Sequence, residues 1–331
     1  LQNMNKKNEL LSIALIATMF ALAGFSGQKE IIFPEIAALA LGAWVLDKPP
    51  WRGTNLNFWL SPSIAALTGM AIVRYFPYSP VFMTAAAFIA VILQLKLLRS
   101  AILPSISAAI LPVITRADSW YYPLSVCILA GIIASGRILM NRSVPAENGD
   151  GLLNPSGSFK PGGNGNLSEL KHWGKLLAGI LAVSVVAVGF HLFYMIAPPL
   201  IVAFVELSKP DSVLRQKSAK ILILLVFAAF SGVCWLYLVE NILHRPIWIS
   251  ACISTISVFI VYRAMRLPFP PAVAIALLPT IIPAEKLWLY PLHVLLGSAA
   301  FLLISTLCFG KSHLAEGNRE ETAVTEATFP G

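Results

Sequence analysis

Four stretches hold the residues with chemistry to offer: Phe33–Gly42 (FPEIAALALG), Leu103–Pro112 (LPSISAAILP), Ala197–Glu206 (APPLIVAFVE) and Phe269–Leu278 (FPPAVAIALL). Each runs from an apolar residue through proline into an Ala/Ile/Leu-rich segment. Proline is tolerated in the first turn of a helix, where its missing N–H has no intrahelical partner. Pro34, Pro104, Pro198, Pro199, Pro270 and Pro271 therefore read as helix starts, with Phe269 heading the last of them. A helix start presents unbonded N–H groups and the positive end of the dipole, which favour an anion or a carbonyl-rich solute. Three side chains add to this. Glu35 could carry a coupled proton, occupy a cation position, or cap a helix near the surface close to Lys29 and Glu30. Ser105 and Ser107 either donate to an anion or bond back to their own helix. The competing reading of all four stretches is that the prolines only shape packing.

Composition puts these starts in a membrane. Of 331 residues, 57% are hydrophobic and 12% charged, and the mean hydropathy is +0.76. Soluble domains carry about a quarter charged residues, so the chain reads as a polytopic membrane protein. The net charge of +8 fits lysines and arginines in cytoplasmic loops. No basic run is interleaved with aromatics, which argues against nucleic acid as a partner. Cys127, Cys234, Cys252 and Cys308 lie in apolar runs without C-x-x-C or zinc spacing, so no metal site is expected. Neither a P-loop nor any sign of an organic cofactor appears. Paired carboxylates, a His-rich motif or a Ser/His arrangement would mark an enzyme, and none stands at suggestive spacing. His191 and His293 read as packed helix residues. Arg74 and Arg137 read as snorkelling, and Lys209–Lys220 as a loop at the lipid headgroups. Trp51, Trp59, Trp120, Trp248 and Trp288 read as an aromatic belt.

Twelve apolar runs fall into two sets of six, over residues 1–142 and 171–310. Residues 143–170 read as a flexible Gly/Ser/Pro linker, and 311–331 as a disordered tail. Leu10–Gly24 has signal-peptide character, but a comparable helix after Lys171 and Lys175 favours a retained first span. With the N-terminus inside and every run crossing, nineteen lysines and arginines fall inside and five outside. That predicts both termini in the cytoplasm. The second and fifth runs of each set are the four proline-led stretches. Three of them are shorter than the roughly 20 residues a straight span needs, and Pro34 and Glu35 interrupt the fourth. The prediction is an all-α protein of about twelve helices in two parallel six-helix repeats. Each repeat holds two short helices that begin at depth. Pro104/Pro112 followed by Tyr122-Pro123-Leu124 recurs as Pro271/Pro279 followed by Tyr290-Pro291-Leu292, an offset of 167 residues between the prolines. If second and fifth runs correspond, each half is two inverted three-helix units, an arrangement known in transporters.

The order of these segments, with Arg266–Pro279 (RLPFPPAVAIALLP) near its end, resembles the HPP family of bacterial and plastid integral membrane proteins. That family is named for a His-Pro-Pro tripeptide before a small-residue helix. Phe269-Pro270-Pro271 stands where the family has its tripeptide, and the family's histidine is absent from both halves. The resemblance covers about Asn5–Met140 and Leu170–Gly310, as though two family units were fused into a pseudo-dimer. It implies a bacterial inner-membrane protein and a nitrite-like substrate, since some plastid and cyanobacterial members are associated with nitrite transport. The expectation is membrane transport of a small anion or small polar solute between the short helices. Pro34, Glu35, Pro104, Ser105, Ser107, Pro198, Pro199, Phe269, Pro270 and Pro271 are the expected substrate-binding residues. A non-transporting scaffold or sensor is the alternative, and a membrane-embedded enzyme a more distant one.

Overall fold

The computed structural model describes residues 6–47, 49–140, 165–210 and 212–310. Among them the chain is helical throughout, with twelve α-helices. Eight are long: α1 (Lys6–Ser26), α3 (Asn55–Tyr75), α4 (Pro80–Leu97), α6 (Tyr121–Leu139), α7 (Gly165–Gly189), α9 (Ser218–Leu236), α10 (Ile247–Met265) and α12 (Tyr290–Phe309). Four are short: α2 (Glu35–Ala40), α5 (Pro104–Thr115), α8 (Pro198–Leu207) and α11 (Pro271–Leu277). A π-turn over Leu41–Val45 extends α2, and a 3₁₀ turn over Leu278–Ile281 extends α11. All eight long helices are long and apolar enough to cross a bilayer. Large apolar side chains such as Leu22, Leu93, Phe230, Ile260 and Leu303 stay exposed on them. In water that surface would drive aggregation; in lipid it faces its proper solvent. This is an integral membrane protein.

The short helices are inside. Every residue of α2, α8 and α11 is buried, as is α5 from Pro104 to Val113. Twelve residues of α5 reach only about 18 Å at 1.5 Å per residue, well short of a bilayer core. The long helices form the wall around them, which is why the short segments are apolar on all sides and read like spans.

Two features let backbones come close. A Cβ added at Gly69 in α3 would lie 2.2 Å from the Ala109 carbonyl oxygen in α5. One at Gly232 in α9 would lie 2.1 Å from that of Ala276 in α11. Small residues at helix crossings are the usual route to tight packing in membranes, where no hydrophobic force separates helix from lipid.

The paired prolines gain a reason here. Pro112 has no N–H to give to the carbonyl four residues earlier, that of Ala108. The Tyr122 hydroxyl of α6 donates to that oxygen instead, at 2.7 Å. Pro279 leaves the Ile275 carbonyl without its partner in the same way, and Tyr290 of α12 donates to it at 2.9 Å. An unfilled carbonyl in a buried helix costs about 1–3 kcal/mol. Each aromatic–Pro–Leu motif thus supplies the donor that a proline eight residues into a short helix removes.

Residues 143–164 and 311–331 of the expected linker and tail lie outside the described residues. Helix α7 nevertheless starts at Gly165, inside the segment read as linker up to 170. Glu169 fixes that start, pairing with Lys96 of α4 at 3.0 Å and accepting from the Trp173 indole at 3.3 Å. Apolar periodicity does not register such polar anchors.

Candidate functional site

The first turns of all four short helices meet around one small cavity. It is lined by Glu35 and Ala38 of α2, Pro104 and Ser107 of α5, Pro199 and Val202 of α8, Pro271 and Ala274 of α11, and Trp51. Each helix contributes residues i and i+3, one face of its first turn. The spacing is regular. Glu35 and Ala38 precede Pro199 and Val202 by 164 residues, and Pro104 and Ser107 precede Pro271 and Ala274 by 167. Three of the four leading positions are proline, and the fourth is Glu35.

About 10 Å³ is open to the centre of a water-sized sphere, the lower limit for holding one water. The polar groups at its edge are few. Glu35 is 2% exposed, and neither carboxylate oxygen has a hydrogen-bond partner. Ser107 is fully buried, with its hydroxyl likewise unpartnered. Its hydroxyl and Glu35's own backbone N–H both act on the Glu35 carboxyl, short of full hydrogen-bond geometry. The surface-cap reading of Glu35 is therefore overturned: the chain from Gly27 to Pro34 carries it into the protein's centre. A buried, unpaired carboxylate is costly to keep, and its survival here asks for a use.

Most of the expected unbonded backbone donors are already bonded. Ser105 and Ile106 give their N–H groups to Ile102 and Leu103. Ile36 and Ala37 give theirs to Phe33 and Pro34, Leu200 to Ala197, and Ala272 and Val273 to Phe269 and Pro270. The lead-in segments bend to meet the first turns and consume those donors. What remains at the cavity is the dipole field of α5 and α8, a carboxyl faced by its own backbone N–H, and a hydroxyl.

Of the ten residues singled out from the sequence, Glu35, Pro104, Ser107, Pro199 and Pro271 line the cavity. Pro34, Pro198 and Pro270 stand one residue before lining positions, and Phe269 two before. The Phe269 carbonyl accepts the Tyr262 hydroxyl, which fixes the lead-in to α11. Ser105, aligned by sequence with Glu35, is buried with its hydroxyl unpartnered but off the cavity. The α5 register is set by Pro104, one residue away from that alignment.

Two residues were not foreseen. Trp51 follows the turn after α2 and is 2% exposed, so it is no part of an aromatic belt. Its ring packs on Gly42, where an added Cβ would lie 2.5 Å away, and its indole N–H donates to Glu206 Oε1 at 2.9 Å. Gly42 and Glu206 are again 164 residues apart. The indole thus bridges corresponding points on α2 and α8 and covers the cavity on the side toward which both helices run. A tryptophan between Pro-Pro and Arg resembles an interface residue in sequence, and nothing local signals its inward turn. Arg137 is a further correction: it is 1% exposed rather than snorkelling. Its guanidinium lies 3.9 Å over the Phe58 ring, and Nε donates to Asn55 Oδ1 at 3.1 Å.

Among the described residues no three His, Cys, Asp or Glu side chains are grouped so as to hold a metal. Compared with protein-family models, with curated proteins and with solved structures, the chain matches none.

Proposed function

We propose that this protein carries a small anion or small polar solute across a membrane, with the central cavity as the point of passage. One observation carries the reading: four short helices bring equivalent first-turn faces together around an unpartnered carboxyl and hydroxyl in an otherwise apolar interior. The 167-residue recurrence of the Tyr–carbonyl bonds' acceptors, Ala108 and Ile275, supports two six-helix repeats in one chain. The equivalence of all four lining pairs supports inverted three-helix units within each repeat, the arrangement transporters use around a mid-membrane site. Charge asymmetry of the loops supports both termini being cytoplasmic. The resemblance to the HPP family nominates nitrite as the first solute to try and a bacterial inner membrane as the setting.

The scaffold or sensor alternative calls for a dry junction, and buried Glu35 and Ser107 disfavour it. An enzyme would need a second catalytic group beside Glu35, and the lining supplies only a hydroxyl. Proteoliposomes loaded with the purified chain should take up nitrite, nitrate or a short carboxylate faster than empty vesicles. Pro271→Leu, which projects a larger side chain into a water-sized cavity, should lower that flux severalfold. Absence of uptake for every solute, with Pro271→Leu indistinguishable from wild type, removes the reading.

A further inference from the structure

We infer that Glu35 binds a proton that must accompany an anion through the cavity, so that the protein is a proton–anion symporter. This rests on the transport reading above and specifies its coupling.

The donors and acceptors at the cavity force the argument. Ionised, a carboxylate offers acceptors only; protonated, it gains one O–H donor. An anion needs donors. The first-turn N–H groups named above are spent on the lead-in carbonyls, and Pro104, Pro199 and Pro271 have none to give. The Trp51 indole is spent on Glu206. Ser107 supplies one hydroxyl. The Glu35 backbone N–H faces its own carboxyl. Protonation of Glu35 adds an O–H donor and removes the charge, so an anion finds a neutral, donating site with the proton present and a repelling carboxylate without it. The field of α5 and α8 points the same way, because it favours one negative charge in the cavity, either the carboxylate or the anion.

A metal cation is a poor occupant. Ca²⁺ takes about six or more oxygens, whereas the lining offers one carboxylate and one hydroxyl in about 10 Å³. A proton needs only the carboxylate.

The other titratable groups around Glu35 are already engaged. From α6 and α12 the Tyr122 and Tyr290 phenols face it, each already donating to a carbonyl. On α1, Glu9 is paired with Arg263 of α10, and Lys6 and Lys7 are exposed. Neither α5 nor α11 has a titratable side chain within its span; Arg116 caps the far end of α5. Arg137 of α6 is held over Phe58, and Glu206 on α8 accepts from Trp51 and faces Lys209.

The proton balance is simple. Glu35 takes a proton from the side the anion enters and returns it to the side the anion leaves, so a monovalent anion crosses with no net charge. Full-length protein in liposomes enclosing a pH dye tests this with nitrate, whose acid is too strong to permeate unaided, and with nitrite, using empty vesicles as baseline. The wild type should acidify the lumen by about one proton per anion and show no dependence on membrane potential. Glu35→Gln fixes the neutral donor form; it should carry the anion without protons, so its flux becomes potential-driven. Glu35→Asp should keep coupling, and gel filtration of each variant in detergent reports folding. Anion flux without protons in the wild type overturns the inference and leaves transport standing, as does proton movement that persists in Glu35→Gln. No flux of either anion in the wild type removes the inference, and if the short carboxylates also fail, transport falls with it. Should Glu35→Gln not fold, the wild-type proton count and Glu35→Asp still decide the matter.

Discussion

The first and second parts of the chain share several packing contacts yet place different residues at the cavity. In the first half the cavity positions are Glu35, Ala38, Pro104 and Ser107; in the second they are Pro199, Val202, Pro271 and Ala274. Both halves cross a long helix over a short one at a glycine, Gly69 on Ala109 and Gly232 on Ala276. Both fill a proline-vacated carbonyl with a tyrosine hydroxyl. Yet every polar side chain at the four first turns comes from the first half. Symmetry here belongs to backbone packing, where prolines, glycines and alanines must fit. The proposed coupling needs only one carboxyl at the shared cavity, because a single cavity cannot hold four buried charges without severe cost.

This comparison can be broken most forcefully at the glycines. Gly69→Val and Gly232→Val each drive a side chain into a backbone oxygen that cannot rotate away. Each should cost about 3 kcal/mol or more, lowering the melting temperature in detergent by similar amounts in the two halves. A large effect in one half and none in the other would mean the crossings are not equivalent.

Smaller and more diagnostic is the tyrosine–proline pair. Tyr122→Phe and Tyr290→Phe each leave a buried carbonyl unfilled and should cost about 1–3 kcal/mol. Pro112→Ala returns an N–H to Ala108, so Pro112→Ala/Tyr122→Phe should be less destabilised than the sum of its parts by about 1 kcal/mol. Additive behaviour in thermal melts would separate the proline from the tyrosine.

The asymmetry itself is tested with the least change in stability. Glu35→Gln/Pro199→Glu moves the carboxyl to the corresponding position on α8, where Pro198 still starts the helix. Proton-coupled uptake in liposomes should return, with a melting temperature near that of Glu35→Gln. Coupling that stays lost would tie Glu35 to its own helix rather than to the shared centre.

Legibility followed the range of the interaction involved. Helix starts at proline, the apolar walls and the spacing of Pro104/Pro112 against Pro271/Pro279 are local or periodic, and the chain displays them directly. Ser105 lies off the cavity because α5 is shifted by one residue against a proline-to-proline alignment with α2, and a shift of about 100° turns a side chain away. Trp51 and Arg137 misled because aromatic and basic residues near span ends usually face the interface, and only a distant Glu206 or a neighbouring Phe58 draws them inward.

By itself, then, the sequence determined that this chain lives in a bilayer, that its helices number about twelve, and that four of them begin at proline. Those outcomes follow from backbone stereochemistry and from transfer of apolar surface out of water. Only the tertiary structure decided that the four beginnings share one cavity, that most of their backbone donors are already spent, and that Glu35 is buried there with no ion-pair partner among the described residues. Such facts depend on residues from Glu35 to Ala274 arriving within one or two side-chain lengths of each other, and no local rule of the chain encodes a distance.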